Sequence, residues 1–132
     1  MRIDIPQVMV PSMNATHAEE VEILRMLEAA LDGTDDAAIA EAARAFADHV
    51  EVHFSREEEL MRAHAFPPYP IHKGEHDRMR GIVRELCGNC DNDAGRAALL
   101  SFIRRDFPAW LGQHVSTLDT VTAQFLSMHG VE

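Results

Sequence analysis

DAAIAEAARAFADHVEVHFSREEELMRAHA, residues 36–65, reads as one long amphipathic helix whose seam is not wholly apolar. Stepping by three or four residues, the stripe runs Ile39, Ala42, Phe46, Val50, His53, Glu57, Leu60 and His64. His53 and Glu57 are four apart, so both project from one face. That face is the one an ordinary helix would fill with leucine. Thr34 or Asp35 can cap the start, and Phe66-Pro67-Pro68-Tyr69-Pro70 is a hard stop.

The same pattern extends outward in both directions. Upstream, from about Asn14 to Leu31, Val21, Leu24, Leu27 and Leu31 form a stripe with His17 one repeat before Val21, and Asp32-Gly33 ends it. Downstream, from about Ile71 to Cys87, the stripe is His72, His76, Met79, Val83 and Leu86. A fourth segment from about Ala94 carries Leu100, Ile103, Phe107, Leu111, His114, Leu118, Val121 and Phe125. Pro108 lies inside it, which predicts a kink near residues 104–107. The expectation is an all-α fold, an antiparallel up-down four-helix bundle with a kinked last helix. It forms one domain over residues 1–132, with an N-terminal arm at 1–13 and the bundle at about 14–128.

Composition narrows the function classes. The chain has 132 residues, enough for one domain, and a formal charge of −10 from 22 acidic and 12 basic residues. That balance disfavours nucleic acid and anionic membrane surfaces as partners. No window is apolar enough to span a membrane, and Pro6 and Pro11 interrupt the only candidate leader, so a cytoplasmic location is expected. Cys87-Gly88-Asn89-Cys90 is a single C-x-x-C. Half a four-cysteine zinc site with no second half, and no βαβ context, reads as a structural pair of thiols.

Every predicted helix sends at least one imidazole inward: His17, His53, the pair His72 and His76, and His114. Burying that many without partners costs roughly 1–3 kcal/mol per unpaired group. A metal centre satisfies them together. Five imidazoles with one or two carboxylates and no cysteine exceed a four-coordinate zinc site. They suit two octahedral ions such as iron or manganese, with carboxylates between them. A ferritin-like carboxylate centre requires Glu-x-x-His, and no histidine here has a glutamate three residues before it.

Three motifs in order then resemble the single-domain bacterial hemerythrins. His53 to Met61 (HFSREEELM) looks like the family's H-F-x-x-E-E-x-x-M. Phe66-Pro67 followed by His72 and His76 looks like its [YF]-P-x4-H-x3-H. Trp110 to Asp119 (WLGQHVSTLD) looks like W-L-x-x-H-x4-D. The resemblance covers about Asn14 to Asp119. It implies a non-haem di-iron centre with one iron on His72, His76 and His114 and the other on His17 and His53. Glu57, Asp119 and an oxo or hydroxo group would bridge the two. The implied function is reversible binding of O₂, held as a hydroperoxide, for transport, storage or sensing. Leu111, Trp110 and Phe54 are expected to line a dry O₂ pocket. The stretch PSMNATH before His17 departs from the aromatic and acidic residues many relatives carry there.

Asp119 sets a test for the fold. Five residues from His114 is a rotation of about 140° in a regular α-helix. Sharing one metal therefore predicts an irregularity between Gly112 and Asp119. Elsewhere, His49 is expected behind the site rather than in it, His64 at a helix end and His129 in solvent. In the 57–59 glutamate run only Glu57 is expected on the seam. Met26, Met61, Met79 and Met128 are expected as core filler. Two other functions remain: a di-iron enzyme or scavenger acting on peroxide, nitric oxide or Fe(II), and a metal-independent helical interaction domain.

Overall fold

A computed structural model describes residues 3–132. Among them are four helical runs and no strand: α1 (Pro11–Leu31), α2 (Asp36–Ala63), α3 (Tyr69–Gly88) and α4, residues 93–128. Short connections at 32–35, 64–68 and 89–92 fold each helix back on its predecessor, giving the up-down bundle.

The starts and stops follow local chemistry. The Asp35 carboxylate accepts from Ala37 and Ala38 N–H at 3.0 and 3.2 Å, so Asp35 is the cap of α2. Asn92 caps α4 by accepting from Gly95 N–H at 2.8 Å. At the end of α2, Phe66 N–H reaches the Met61 carbonyl and Ala65 N–H that of Arg62. This is a Schellman closure with Phe66 and Met61 buried, and it puts Ala65 in the left-handed region at φ 52°. The end of α4 repeats the closure with Gly130 at φ 83°.

Helix α1 begins three residues before the expected Asn14. Pro11 takes the first helical position, where a missing N–H costs nothing. Asn14 donates to the Val8 carbonyl at 2.9 Å and accepts from Val8 N–H at 2.8 Å, which ties the arm to the helix. Val10 and Met13 are buried against Ala123 and Leu126.

Helix α4 is three α-helical pieces, Asp93–Ser101, Phe107–His114 and Thr120–Met128, joined by π-helical turns at Phe102–Asp106 and Val115–Asp119. The first lies just ahead of Pro108 and overlaps the predicted kink. The second falls in the interval that the spacing of His114 and Asp119 required. In each, an N–H reaches five residues back: Phe107 to Phe102 and Thr120 to Val115. The Ser116 and Thr117 hydroxyls donate to the Gln113 carbonyl at 3.2 and 2.6 Å.

Those turns correct the expected stripe. Beyond the second, the buried residues are Asp119, Thr122, Ala123 and Leu126, whereas Val121 is exposed. The extra residue in a π-turn advances the register by one, so a stripe drawn at α-helical spacing runs off the buried face. Met26 and Met128 are also exposed, against expectation, while Met61 and Met79 are buried.

Two apolar clusters fill the bundle. The larger includes Leu24, Leu27, Phe46, Val50, Met79, Val83, Ile103, Phe107 and Leu111; the smaller is Val10, Met13, Ala123 and Leu126. Along each helix the inward polar residues fall next to these clusters, which makes a polar layer inside the bundle. No helix among the described residues is long and apolar enough to cross a membrane.

Candidate metal centre

All seven residues singled out from the sequence as ligands lie together in that layer, each at most 3% exposed. Helix α1 supplies His17, α2 supplies His53 and Glu57, α3 supplies His72 and His76, and α4 supplies His114 and Asp119. The i, i+4 pairs of α2 and α3 point inward because they occupy seam positions. Asp119 does so because the π-turn restores it to the face of His114.

The five imidazoles turn Nε2 toward the two carboxylates. Glu57 lies 2.7 Å from His53 Nε2, 3.3 Å from His76 and 3.5 Å from His72. Asp119 lies 3.0 Å from His72, 3.1 Å from His114 and 3.2 Å from His17. The donors fall into two groups with mutual ligand-atom distances within 4.8 Å: Glu57, His72, His76, His114 and Asp119; and His17, His53, Glu57 and Asp119. Both carboxylates belong to both groups.

Close approach is not the same as hydrogen bonding here. Both nitrogens of His17, both oxygens of Asp119, Glu57 Oε1, His76 Nε2 and His114 Nδ1 are buried without a hydrogen bond. The atoms converge on common points instead of on one another. At about 1 kcal/mol or more each, seven orphans rival the whole stability of a small domain. Cations held between these atoms would remove the penalty, so the donor set fits a metal centre: unsaturated nitrogen and oxygen, no sulfur, two shared carboxylates.

The charge state of the protein alone agrees. Burial pushes the Glu57 carboxyl up, but facing His53, with His72 and His76 also close, holds it well below the usual range. Burial pushes His72 down, yet the Asp119 and Glu57 carboxylates reverse this and raise it to about 9. His53 is likewise raised by Glu20 and Glu57 against its burial, whereas burial wins for His76 and lowers it.

The backs of the rings are held by residues that the stripe did not reveal. His53 Nδ1 pairs with both oxygens of Glu20 at 3.1 and 3.2 Å. His72 Nδ1 pairs with Thr122 Oγ1 at 2.8 Å and His76 Nδ1 with Glu58 at 2.9 Å. Glu58 is therefore not on the solvated face. Both its oxygens accept from Arg80, which also donates to Glu51 and Asp77. The signal for Glu58 was available: His76 and Arg80 follow each other by one turn on α3. Glu20 is three residues after His17, on the same face, and signalled itself in the same way. His49 lies behind the site, on Glu20 at 3.2 Å.

Aromatic rings close one side. Phe54 stacks on His76 at 4.1 Å and 2°, and Trp110 stacks on His114 at 4.4 Å and 19° while donating to Glu75 at 3.1 Å. Leu111 is fully buried beside them. Between α1 and α2 a cavity of about 60 Å³, lined by Met13, Thr16, Arg56 and Leu60, reaches His53 and Glu57. Its volume matches about two water molecules or one small diatomic. His64 is the C-cap of α2, and His129 is exposed and donates to the Phe125 carbonyl. Both cysteines are free, and burial, then the neighbouring Cys90, pushes the Cys87 thiol up to about 12, where it is a poor nucleophile.

Known proteins resemble this chain in sequence and in fold. Residues 8–126 match the Hemerythrin HHE cation binding domain. The chain is 34% identical to the bacteriohemerythrin of Aquifex aeolicus (strain VF5) over 114 residues, 86% of this chain and 87% of that protein. It is 33% identical to the bacteriohemerythrin of Ralstonia nicotianae over 116 residues, covering 88% and 82%. The crystal structure of wild-type hemerythrin superimposes with a TM-score of 0.78 at 22% identity over 91% of each chain. With a cation-binding profile along most of its length and relatives at that identity, the chain belongs to the hemerythrin family.

Proposed function

We propose that the chain is a di-iron protein that binds O₂ reversibly. The single observation that carries the reading is the pair of overlapping ligand groups, five imidazoles sharing the Glu57 and Asp119 carboxylates in a buried layer. His72, His76 and His114 would hold one iron, His17 and His53 the other, and the two carboxylates would span them. Reduced iron held there would supply the electrons that O₂ binding requires.

The residues themselves do the rest. Three histidines against two would leave the ion on His17 and His53 fewer protein ligands, and the small cavity beside His53 and Glu57 adjoins that half. Phe54, Trp110 and Leu111 keep water from the three-histidine half; water and stray protons would make the binding irreversible. Glu57 and Asp119 are ionised without a metal and offset the charge of two cations.

The second reading, a di-iron enzyme or scavenger of peroxide, nitric oxide or Fe(II), has one observation in its favour. From the His53 ring a hydrogen-bonded line runs through Glu20 and His49 to exposed Glu19, so the site is not sealed from solvent. One measurement separates the two. Iron is counted per chain, reduced under argon and cycled with O₂ while the visible spectrum is recorded. Two irons and a band that appears with O₂ and disappears under argon are expected. Oxidation in one direction only would replace the carrier by the scavenger, and failure to bind iron would reject both.

A further inference from the structure

The two halves of the cluster are not backed alike. On the three-histidine half, His72 leans on the Thr122 hydroxyl and His76 on Glu58, itself clamped by Arg80. On the other half, His17 Nδ1 makes no hydrogen bond, so His53 alone has a partner behind it. That partner, Glu20, has no solvent exposure. Both its oxygens face His53 Nδ1, and its Oε1 also meets His49 Nδ1 at 3.2 Å. His49 in turn is held from outside by Glu19 at 3.3 Å.

We propose that Glu20, braced by His49, is the positioning residue of the two-histidine half and decides whether the second cation stays bound. The inference rests on the two-cation reading above. An imidazole carries one proton when it ligates. Glu20 keeps that proton on Nδ1 of His53, which leaves the Nε2 lone pair facing Glu57 and the cluster. The carboxylate also makes the ring a stronger donor to a cation. The other half has two such supports, so losing one there is less decisive. Here a single residue does the whole task. Glu20 is also placed where a helix seam would normally carry an apolar side chain, three residues after His17, and a buried carboxylate is retained there at a desolvation cost.

The test uses the full chain and Co(II) alone, titrated under argon against a competing chelator. Wild type should take two ions in two resolvable steps. Glu20→Leu should weaken the second step by about 10–100-fold, as loss of a carboxylate behind a ligating histidine does, and leave the first within about threefold. Glu20→Gln keeps an acceptor for the Nδ1 proton but loses the charge, so it should recover part of the loss. In the Co(II) form, the proton NMR spectrum of Glu20→Leu should lack one slowly exchanging ring N–H signal present in wild type. A second step unchanged in both variants, or both steps weakened equally, overturns the role. If Glu20→Leu does not fold, Glu20→Gln alone decides: a second step within threefold of wild type with all ring signals retained overturns it. A wild type that takes fewer than two ions would instead reject the two-cation reading itself.

Discussion

Metal uptake by this chain should be driven against stored protons, and the structure sets the size of the effect. Without metal, His72 is raised to about 9 by the Asp119 and Glu57 carboxylates against its burial, and His53 is raised in the same direction by Glu20 and Glu57. His72 is therefore protonated near pH 7, and His53 is shifted toward its protonated form, while a ligating imidazole must be neutral. His76 is lowered by burial, and Glu57 and Asp119 are held below the ordinary carboxylate range, so none of these three has a proton to release at that pH. Displacing one proton from a group with a pKa of about 9 costs roughly 3 kcal/mol at pH 7, and the cost falls by about 1.4 kcal/mol per pH unit. His72 alone makes the logarithm of the affinity rise by about one per pH unit between pH 7 and 8, and His53, raised in the same direction, adds to that slope. Above about 9 the contribution of His72 levels off. The perturbation is pH, and the assay is Fe(II) binding under argon against a chelator of known proton dependence. It is paired with direct measurement of proton release in unbuffered solution. About one proton per loaded chain from His72, with a further contribution from His53, is expected near pH 7.5. Affinity flat across that interval, with no proton released, would refute the electrostatic account of the site. The same shifts fix a sign for the metal-free fold. A raised histidine stabilises it fully below pH 6.5, and that stabilisation is lost as pH rises through about 9. Chelator-treated protein should therefore melt at a lower temperature at pH 9 than at pH 6.5 in calorimetry, and an increase would contradict it.

Substitutions at three positions probe the frame around the site. A Cβ on Gly95 would stand 1.6 Å from the Asn89 carbonyl oxygen and 2.8 Å from its carbon. Gly95→Ala should thus lower stability by about 1–3 kcal/mol despite the better helix propensity of alanine, and a raised melting temperature would count against so close an approach of the 89–92 connection to α4. Ala65 holds a left-handed conformation at φ 52°. Ala65→Val should cost about 1–2 kcal/mol, since a β-branched residue resists that region, whereas Ala65→Gly should be within about 1 kcal/mol of wild type in urea unfolding. Thr122→Val removes the acceptor behind His72 with little change of shape. It should destabilise the metal-free protein by about 1–3 kcal/mol, and equal stability would show that His72 does not depend on Thr122.

The four helices were legible because their periodicity is regular and their ends carry Pro, Gly, Asp or Asn at the required places. The seven cluster residues were legible for a related reason: a charged or imidazole side chain on an apolar seam is conspicuous. What stayed hidden was one step further out. Glu58 looked like one of three surface acids because its burial depends on Arg80 from another helix, an interaction between residues 22 apart in sequence. Glu20 sat among Glu19 and Glu22, and although its spacing from His17 puts it on the inner face, only the fold of α1 against α2 brings it to His53 and His49. Thr122 was lost for a different reason. The seam beyond Asp119 was extended at α-helical spacing through Val121 and Phe125, and the π-turn had already moved it by one residue.

The π-turn at Val115–Asp119 has a consequence for how such chains vary in length. A turn closed at i+5 holds one residue more than a turn closed at i+4, yet both return the chain to nearly the same face and height. Excising the exposed Ser116 should therefore let the turn tighten into ordinary α-helix and leave His114 and the displaced aspartate four apart, still side by side. Everything downstream would keep its contacts with α1 and α2. Five-residue spacing between the last histidine and the aspartate is then one of two interchangeable spellings of the same site. A shorter chain with histidine and aspartate four apart can carry the same centre, and a pattern that insists on the longer spelling will pass it by.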